Sequence, residues 1–433
     1  MKRIVCRLYY VVIPILVIGI SIGYTSFALA LAALVPLLFV STRHTIAVFL
    51  VMYGGPLCGV IRAMYPTMPI YGLIMEFLGF ILMWDLVMDL FHNNLRALGE
   101  ILLALTFFGL FFLVGPRTEF ATTKYLTMCY HGLFMVFGYY TFERSSSIDA
   151  ESLTRLLLVA CVCMFAYLIH TIGMHVGGVF DYDWFREQFL NFAHLTDWEG
   201  TVINYQHVGM LASFATAIFL SQTKLKSSLV VFYLLCAIQL VLTAGARQGI
   251  FGVVIIIVLR FTFFKEALFR GKNQIGRVLR IILGLAVFLF ALSIIIDKMQ
   301  SDLISSTLQG ETGRNELLIA GIAIFLDNPI FGTGIGGFEH IVNDGWPHNL
   351  IIELLCETGL VGFSISLLII IISLFLKKRG VYHITASNQF YFLILTAIFV
   401  RVMVSSDLRE SIELFSAVFA VTSAKSLLTN NNA

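Results

Sequence analysis

The chain has 433 residues, of which 59% are hydrophobic and only 12% are charged. A soluble domain carries about twice that share of charged residues, so the composition excludes an ordinary soluble protein. The formal net charge of +2 gives no basis for a nucleic-acid partner. Apolar runs of about 18 residues or more recur, long enough as helices to cross a hydrocarbon core of about 30 Å. We therefore predict an all-α fold, a polytopic transmembrane helical bundle of about 12–14 spanning helices, with residues 1–433 as a single integral membrane domain.

The first segment, "MKRIVCRLYYVVIPILVIGI", has the basic start and apolar run of a signal peptide. Apolar character continues to about Val40, so we expect an uncleaved hairpin of two helices instead. The apolar segments are predicted at roughly 8–23, 25–40, 44–61, 70–90, 97–114, 122–142, 153–172, 202–221, 227–243, 247–264, 279–297, 349–376, 388–404 and 411–427.

No Cys-x-x-Cys spacing occurs, and we expect neither a metal nor another cofactor.

Lysines and arginines are concentrated in alternate connections between these segments. With the N-terminus in the cytoplasm, the clusters at 260–280 and 377–379 and most other basic residues fall on the cytoplasmic side, as the positive-inside rule requires. Both termini are then cytoplasmic. Lys124 is among the few basic residues that this assignment leaves on the outer side.

Two connections are longer than a turn, at about 173–201 and 298–348, and both fall on the outer side. They contain Trp184, Trp198 and Trp346, which are candidate glycan contacts. The first loop, "FDYDWFREQFLNFAHLTDWEG", alternates acids with aromatic residues, as a sugar-binding surface does. An amphipathic helix with tryptophans at the membrane interface would have the same composition, and both readings stay open.

Arg247 follows small residues in "LTAGARQGIFG", at the outer end of a predicted helix. An arginine at a membrane border is costly unless it reaches water or pairs with an anion. It is either an interfacial anchor or a phosphate ligand, because a guanidinium matches two phosphate oxygens at once.

The second long loop contains "GETGRNELLIAGIAIFLDNPIFGTGIGGF". We predict a short amphipathic helix that starts near Arg314 and ends at Asn328–Pro329, too short to span and lying at the outer surface. Arg314 in its first turn is either an ordinary surface residue or an anion ligand beside free backbone N–H groups. The glycines that follow lack the strand and helix of a nucleotide-binding loop, so we expect them to allow tight turns instead.

The loop ends in "WPHNLIIELLCETGLVG". His348 lies at the outer end of a long apolar helix that starts at Asn349, and an imidazole there can accept a proton from a hydroxyl. Glu353 and Glu357 lie one to two turns deeper, where carboxylates need a reason. They either orient His348, pair with Arg247 or Arg401, or hold helices together. Asn349, Glu353, Glu357 and Arg401 are therefore possible supporting residues.

Three segments, in this order, resemble the O-antigen ligase and O-antigen polymerase superfamily of bacterial envelope enzymes. They are "TAGARQG", "TGRNELLIAGIAIFLDNPIFGTGIGGF" and "PHNLIIELLCETGLVG". One position departs from the pattern, since Ala246 stands where relatives often carry serine. The N-terminal half resembles the family only in its number of helices.

The resemblance implies a metal-independent glycosyltransferase of lipopolysaccharide biosynthesis in the bacterial inner membrane, with a periplasmic active face. Its substrate would be an oligosaccharide on undecaprenyl diphosphate, transferred to an acceptor hydroxyl. Membrane lipids, a chain-length regulator and other polysaccharide assembly proteins are further candidate partners. Arg247 and Arg314 would hold the diphosphate, and His348 would be the catalytic base.

The motifs "TGR" and "ETGLVG" resemble those of polymerases more than those of ligases. A polymerase extends a lipid-linked glycan, whereas a ligase transfers the glycan to the lipid A core. A transporter such as a lipid-linked oligosaccharide flippase is the alternative from another class. A transporter would be expected to contain internal repeats and broken helices with central polar groups, and the sequence has no recognisable repeat.

Overall fold

The computed structural model describes residues 41–51, 71–93, 95–144, 149, 151–162, 205–221, 229–233, 236, 247–263, 313–342, 345–373, 386–404 and 407–423. All regular structure in these ranges is helical, which confirms the all-α prediction for this part of the chain. Residues 43–51, 151–162 and 229–233 are helical, and the labelled helices are α1 (Tyr71–Leu82), α2 (Trp84–Asn93), α3 (Leu95–Val114), α4 (Glu119–Arg144), α5 (Tyr205–Ser221), α6 (Arg247–Phe263), α7 (Gly313–Asp327), α8 (Gly337–Val342), α9 (Leu350–Ile371), α10 (Ala386–Val404) and α11 (Leu408–Ser423). The loop predicted at 173–201, with Trp184 and Trp198, lies outside the described residues.

Two of the described helices are long and apolar enough to cross a membrane, Ala97–Val114 within α3 and the whole of α9. Shorter apolar stretches occur at Gly209–Ser221, Gly249–Arg260 and Phe392–Met403. The outer face of α3 leaves Leu103 and Leu113 each 66% exposed, as expected for a helix that meets lipid. The polytopic bundle of 12–14 spanning helices stays a prediction, as does the assignment of its connections to the cytoplasmic and outer sides.

The chain divides into two compact units. The first comprises Met1–Gly79, Ser147–Ser305 and Ile384–Ala397. Within it α5 packs closely against α6, since a β-carbon on Gly249 would lie 2.9 Å from the carbonyl carbon of Gly209. The Ser213 hydroxyl, on the same face of α5, donates to the Gly209 carbonyl at 3.0 Å. Small residues at the contact let the helix backbones approach, as in membrane helix pairs.

The second unit comprises Phe80–Ser146, Ser306–His383 and Ile398–Ala433. Here α11 packs against α4, where the Ser416 hydroxyl donates to the Gly132 carbonyl at 2.9 Å. The short α7 packs against α9, with Gly321 facing Ile352. His348, Arg314 and the residues around them belong to this unit, whereas Arg247 belongs to the first.

The helix predicted from near Arg314 to Asn328–Pro329 is found at Gly313–Asp327. Its side chains are apolar on the packed face and also on the exposed face, where Ile319 and Leu326 are 67% and 66% exposed. It is thus more apolar around its circumference than a water-facing amphipathic helix. This exposed apolar face suits the predicted place at the membrane interface.

Two predicted helices are interrupted. The segment at 70–90 forms α1 and α2 with a break at Met83. The segment at 349–376 contains a break at Gly359, inside α9. Hydrophobicity alone marks both as continuous, because a break of one residue leaves the apolar pattern intact.

Candidate functional site

The break in α9 receives the loop that follows α7. Gly359 has φ 64° and ψ −170°, outside the helical region, and this frees helical backbone groups on both sides of it. The N–H groups of Thr333 and Gly334 donate to the carbonyls of Cys356 and Glu357 at 2.9 and 2.8 Å. In return, backbone N–H groups after the break donate to carbonyls of the loop. These bonds are Leu360 N–H to Pro329 O (2.9 Å) and Val361 N–H to Ile330 O (3.1 Å).

The glycines of this loop therefore allow its backbone to lie close to the backbones of other segments. Gly332, Gly334 and Gly336 all have positive φ, a conformation that costs little only without a β-carbon. A β-carbon on Gly334 would lie 2.5 Å from the backbone nitrogen of Gly115, at the end of α3. The motifs "NPIFGTGIGG" and "ETG" thus form one structural unit, although nineteen residues, 338–356, lie between them.

A cluster of buried charges contacts this loop. The Nζ atom of Lys124, on α4, lies 2.7 Å from Glu339, 2.6 Å from Glu353 and 2.8 Å from Glu357, in each case from Oε1. The Lys124, Glu353 and Glu357 side chains are 0% exposed and that of Glu339 is 7% exposed. We call these four residues the Lys124 cluster. Buried charges of this kind are strongly destabilising unless paired and hydrogen-bonded.

The carboxylates of the cluster also hold backbone. Glu357 Oε1 accepts a hydrogen bond from the Gly336 N–H at 3.0 Å, and Glu353 Oε1 accepts one from the Leu408 N–H at 2.9 Å. The Leu408 N–H belongs to the first turn of α11, where N–H groups lack helical partners. The Lys124 cluster therefore joins α4, the glycine-rich loop, α9 and the start of α11.

Glu339, Glu353 and Glu357 also have the spacing of metal ligands, with ligand atoms within 4.8 Å of one another. The ammonium of Lys124 contacts all three, so a cation already lies between them. Within the described part of the chain, the Oε2 atom of each carboxylate is buried and has no hydrogen-bond partner.

His348 lies immediately before α9 with an unusual backbone. Its φ is 54°, the only positive value among the non-glycine residues that the structure describes. Such a conformation is unfavourable for a residue with a side chain and persists where the surroundings hold it, often at functional sites. Its ring packs against Trp346, with ring centroids 4.9 Å apart.

Asn349 is the N-cap of α9, as its predicted position at the helix start requires. Its Oδ1 accepts hydrogen bonds from the N–H groups of Ile351 and Ile352 at 3.0 and 3.2 Å, the standard pattern of an asparagine cap. Its Nδ2 donates to the Met403 carbonyl at the end of α10, at 3.2 Å. Asn349 thus fixes both the start of α9 and its contact with α10, directly beside His348.

A cation lies close to Trp346 as well. The Arg409 guanidinium lies over the rings of Phe120 and Trp346, 5.2 and 5.9 Å from their centroids, a cation–π arrangement. Arg409 also pairs with Asp407. Burial raises the pKa of the Asp407 carboxyl above its usual value, although the Arg409 guanidinium lowers it.

The two arginines predicted to bind diphosphate both lie in the first turn of a helix. Arg247 is the first residue of α6, and Arg314 is the second residue of α7. Both positions put the residue beside N–H groups that lack helical partners, which favours anions.

Arg401 does not pair with Glu353 or Glu357. It pairs with Glu410 and Glu413 on α11, and Glu413 also accepts a hydrogen bond from the Tyr139 hydroxyl at 2.7 Å. Of the alternatives for Glu353 and Glu357, the contacts described here match the one in which they hold helices together.

Sequence reasoning missed Lys124 and Glu339. Lys124 stands near the start of an apolar segment, where a lysine usually extends to water, and Glu339 stands in a loop. The available signal was the need of Glu353 and Glu357, on one face of an apolar helix, for a cation within reach. The two partners considered for them, Arg247 and Arg401, did not include the correct one, because Lys124 lies more than two hundred residues away from both glutamates in sequence.

The family model described as O-antigen ligase matches residues 230–367 of the chain, about a third of its length. No curated protein and no solved structure matches the chain. The matched range contains Arg247, Arg314, His348, Glu353 and Glu357, but not Lys124. Residues 230–367 are therefore similar to the O-antigen ligase family, and the predicted resemblance to the O-antigen ligase and polymerase superfamily is confirmed.

Proposed function

We propose that the protein is an O-antigen polymerase, or the polymerase of a related surface polysaccharide. It takes a glycan linked to undecaprenyl diphosphate and transfers it to a sugar hydroxyl at the periplasmic face of the bacterial inner membrane. The acceptor oxygen forms a bond to the anomeric carbon, the bond from that carbon to the diphosphate breaks, and undecaprenyl diphosphate leaves. No nucleotide sugar or metal enters this scheme.

His348 is the proposed general base, which takes the proton of the acceptor hydroxyl as that oxygen attacks. The observation that carries the proposal is the conformation of this residue. A histidine with φ 54° stands at the head of an apolar helix, between a packed tryptophan and a capping asparagine. Backbone strain of this kind is common at catalytic positions.

Arg247 and Arg314 are the proposed diphosphate ligands. The support is the family resemblance together with their places in the first turns of α6 and α7. Arginine suits this task because its planar guanidinium donates two parallel hydrogen bonds to phosphate oxygens. Positive charge near the leaving diphosphate stabilises the charge that develops there.

The transporter alternative has one feature in its favour, the broken helix α9 with buried carboxylates beside the break. Carriers use such breaks to expose backbone groups to a substrate. In α9 the freed groups are bonded to the loop at 329–334. The break is therefore occupied by the protein itself, and we favour the transferase.

The test is complementation in a strain that lacks the corresponding gene, read as the glycan pattern on a gel. Loss of long chains with one repeat unit still attached to lipid A core identifies a polymerase. Complete chains left on the lipid carrier identify a ligase and would overturn the polymerase assignment.

The role of His348 is tested in the same strain with His348→Ala, which we expect to abolish long chains while the protein still inserts. His340→Ala is the matched control, because His340 is an exposed histidine on α8, eight residues before His348, and we expect it to give normal chains. Normal banding from His348→Ala would remove His348 from catalysis.

A further inference from the structure

The segment that carries His348 is held at both ends by one side chain. Upstream, Glu339 on α8 accepts a hydrogen bond from Lys124 Nζ at 2.7 Å. Downstream, Glu353 in the first turn of α9 accepts another at 2.6 Å. The chain between these two carboxylates contains Trp346, His348 and Asn349. Lys124 thus connects the two ends of the backbone segment that contains the proposed base.

We propose that Lys124 is a positioning residue for His348, and that its ammonium fixes the segment from Glu339 to Glu353 in the conformation that catalysis needs. This inference rests on the proposed role of His348. Lys124 is itself 0% exposed, so it acts through the segment and does not touch substrate.

The chemistry of the cluster suits a fixed anchor. An ammonium has three N–H donors and no acceptor, and Lys124 Nζ has three carboxylate partners at 2.6–2.8 Å. Each donor is thus matched by one partner. The cluster lies out of water, where charge-assisted hydrogen bonds are strong and salt screens them little.

The three carboxylates need this cation. Their ligand atoms lie within 4.8 Å of one another, so without a positive charge between them they would repel. A neutral side chain at position 124 would therefore free Glu339, whose side chain is nearest to water, from the other two. The upstream end of the His348 segment would then lose its attachment to α9.

A second route connects the cluster to His348. Glu353 accepts a hydrogen bond from the Leu408 N–H at the start of α11, and the next residue, Arg409, lies over the ring of Trp346. Trp346 in turn packs against the His348 ring. The cluster thus supports both the backbone that carries the imidazole and the ring that packs on it.

The experiment compares purified Lys124→Met with the wild type in two measurements. The first is glycan transfer from a lipid-linked donor, and the second is backbone hydrogen exchange over residues 337–349. We expect kcat to fall on the order of a hundredfold, as for a small misplacement of a catalytic group, while KM for the donor stays unchanged. Exchange over 337–349 should become faster, because the segment opens more easily.

Arg155→Met is the matched control for loss of a buried cation. Arg155 is 3% exposed and pairs with Glu151 in the other unit, so exchange over 337–349 and kcat should both stay at wild-type values. Folded Lys124→Met with wild-type exchange in this segment overturns the proposal, whatever its activity. Wild-type kcat in that variant also overturns it.

Glu339→Met and Glu339→Gln replace this comparison if Lys124→Met does not fold. Methionine removes the upstream attachment, whereas the glutamine carbonyl still accepts a hydrogen bond from Lys124. We expect faster exchange and lower kcat from Glu339→Met, with recovery in Glu339→Gln; equal behaviour of the two variants would overturn the proposal. His348→Ala measured alongside separates the two hypotheses, because an active His348→Ala refutes the proposed base while the exchange result still decides on Lys124.

Discussion

Gly359 and Ile330 approach each other more closely than two residues with side chains can. A β-carbon on Gly359 would clash with the Ile330 carbonyl and lie 2.6 Å from the Gly332 nitrogen. This contact places the loop that follows α7 in the break of α9. Glu357, two residues before Gly359, contacts Lys124 at 2.8 Å.

Gly359→Ala is expected to separate the loop from α9. The backbone conformation of Gly359, φ 64° and ψ −170°, is essentially restricted to glycine and costs a residue with a β-carbon about 1–3 kcal/mol, and the clash with backbone adds to that cost. We expect a lower midpoint of thermal unfolding and loss of long glycan chains. Gly99→Ala is the control, since a β-carbon there meets nothing within 4 Å and alanine is preferred in a helix by up to about 1 kcal/mol. A Gly359→Ala protein as stable as Gly99→Ala would refute the proposed tight contact.

Lys124→Met is expected to destabilise the fold by about 3–5 kcal/mol, the usual cost of leaving buried partners without their counter-charge. If repulsion among the three carboxylates causes this loss, removing their charges should restore stability. Adding Glu339→Gln, Glu353→Gln and Glu357→Gln removes the repulsion while the amide oxygens still accept from the Gly336 and Leu408 N–H groups. The fourfold variant should therefore unfold at a higher denaturant concentration than Lys124→Met alone. The opposite order would mean that repulsion among the carboxylates is not what destabilises Lys124→Met.

The two roles of Asn349 can be separated by substitution. Asn349→Ala removes the cap of α9 and the bond to Met403, and loss of a cap alone costs about 1 kcal/mol. Asn349→Asp keeps an oxygen that accepts from Ile351 and Ile352, next to a helix N-terminus that favours negative charge. We expect Asn349→Asp to be the more stable variant in thermal unfolding. Equal stability of the two would show that the cap contributes little.

The sequence identified those parts of the fold that depend on local pattern. The ends of α7 followed from Arg314 and Asn328–Pro329, and the start of α9 followed from Asn349, because caps and prolines act on their own neighbours. The break at Gly359 could not be predicted, since its cause is the loop that packs into it from more than twenty residues away.

The same distinction applies to the candidate site. His348 could be selected because a polar pair precedes an apolar run. The partner of Glu353 and Glu357 could not, because Lys124 reaches them only through the packing of α4 against the rest of its unit. Charge patterning could not supply this contact either, because it assigns Lys124 only to a side of the membrane, whereas the contact depends on the side chain being fully buried beside the glutamates.

Arg247→Lys tests whether Arg247 binds diphosphate or only anchors α6. Both residues carry a positive charge and reach water equally well, so an interfacial anchor would tolerate the change. A diphosphate ligand would not, because lysine is a point charge that cannot donate two parallel hydrogen bonds to one phosphate. We expect Arg247→Lys to lose long glycan chains nearly as completely as Arg247→Ala, with both proteins present in the membrane at wild-type levels. Arg260→Lys, at the other end of α6, is the control for replacing an arginine by a lysine in this helix. This variant should retain chain formation. Wild-type chains from Arg247→Lys would assign that residue to anchoring and leave Arg314 as the arginine proposed for the diphosphate.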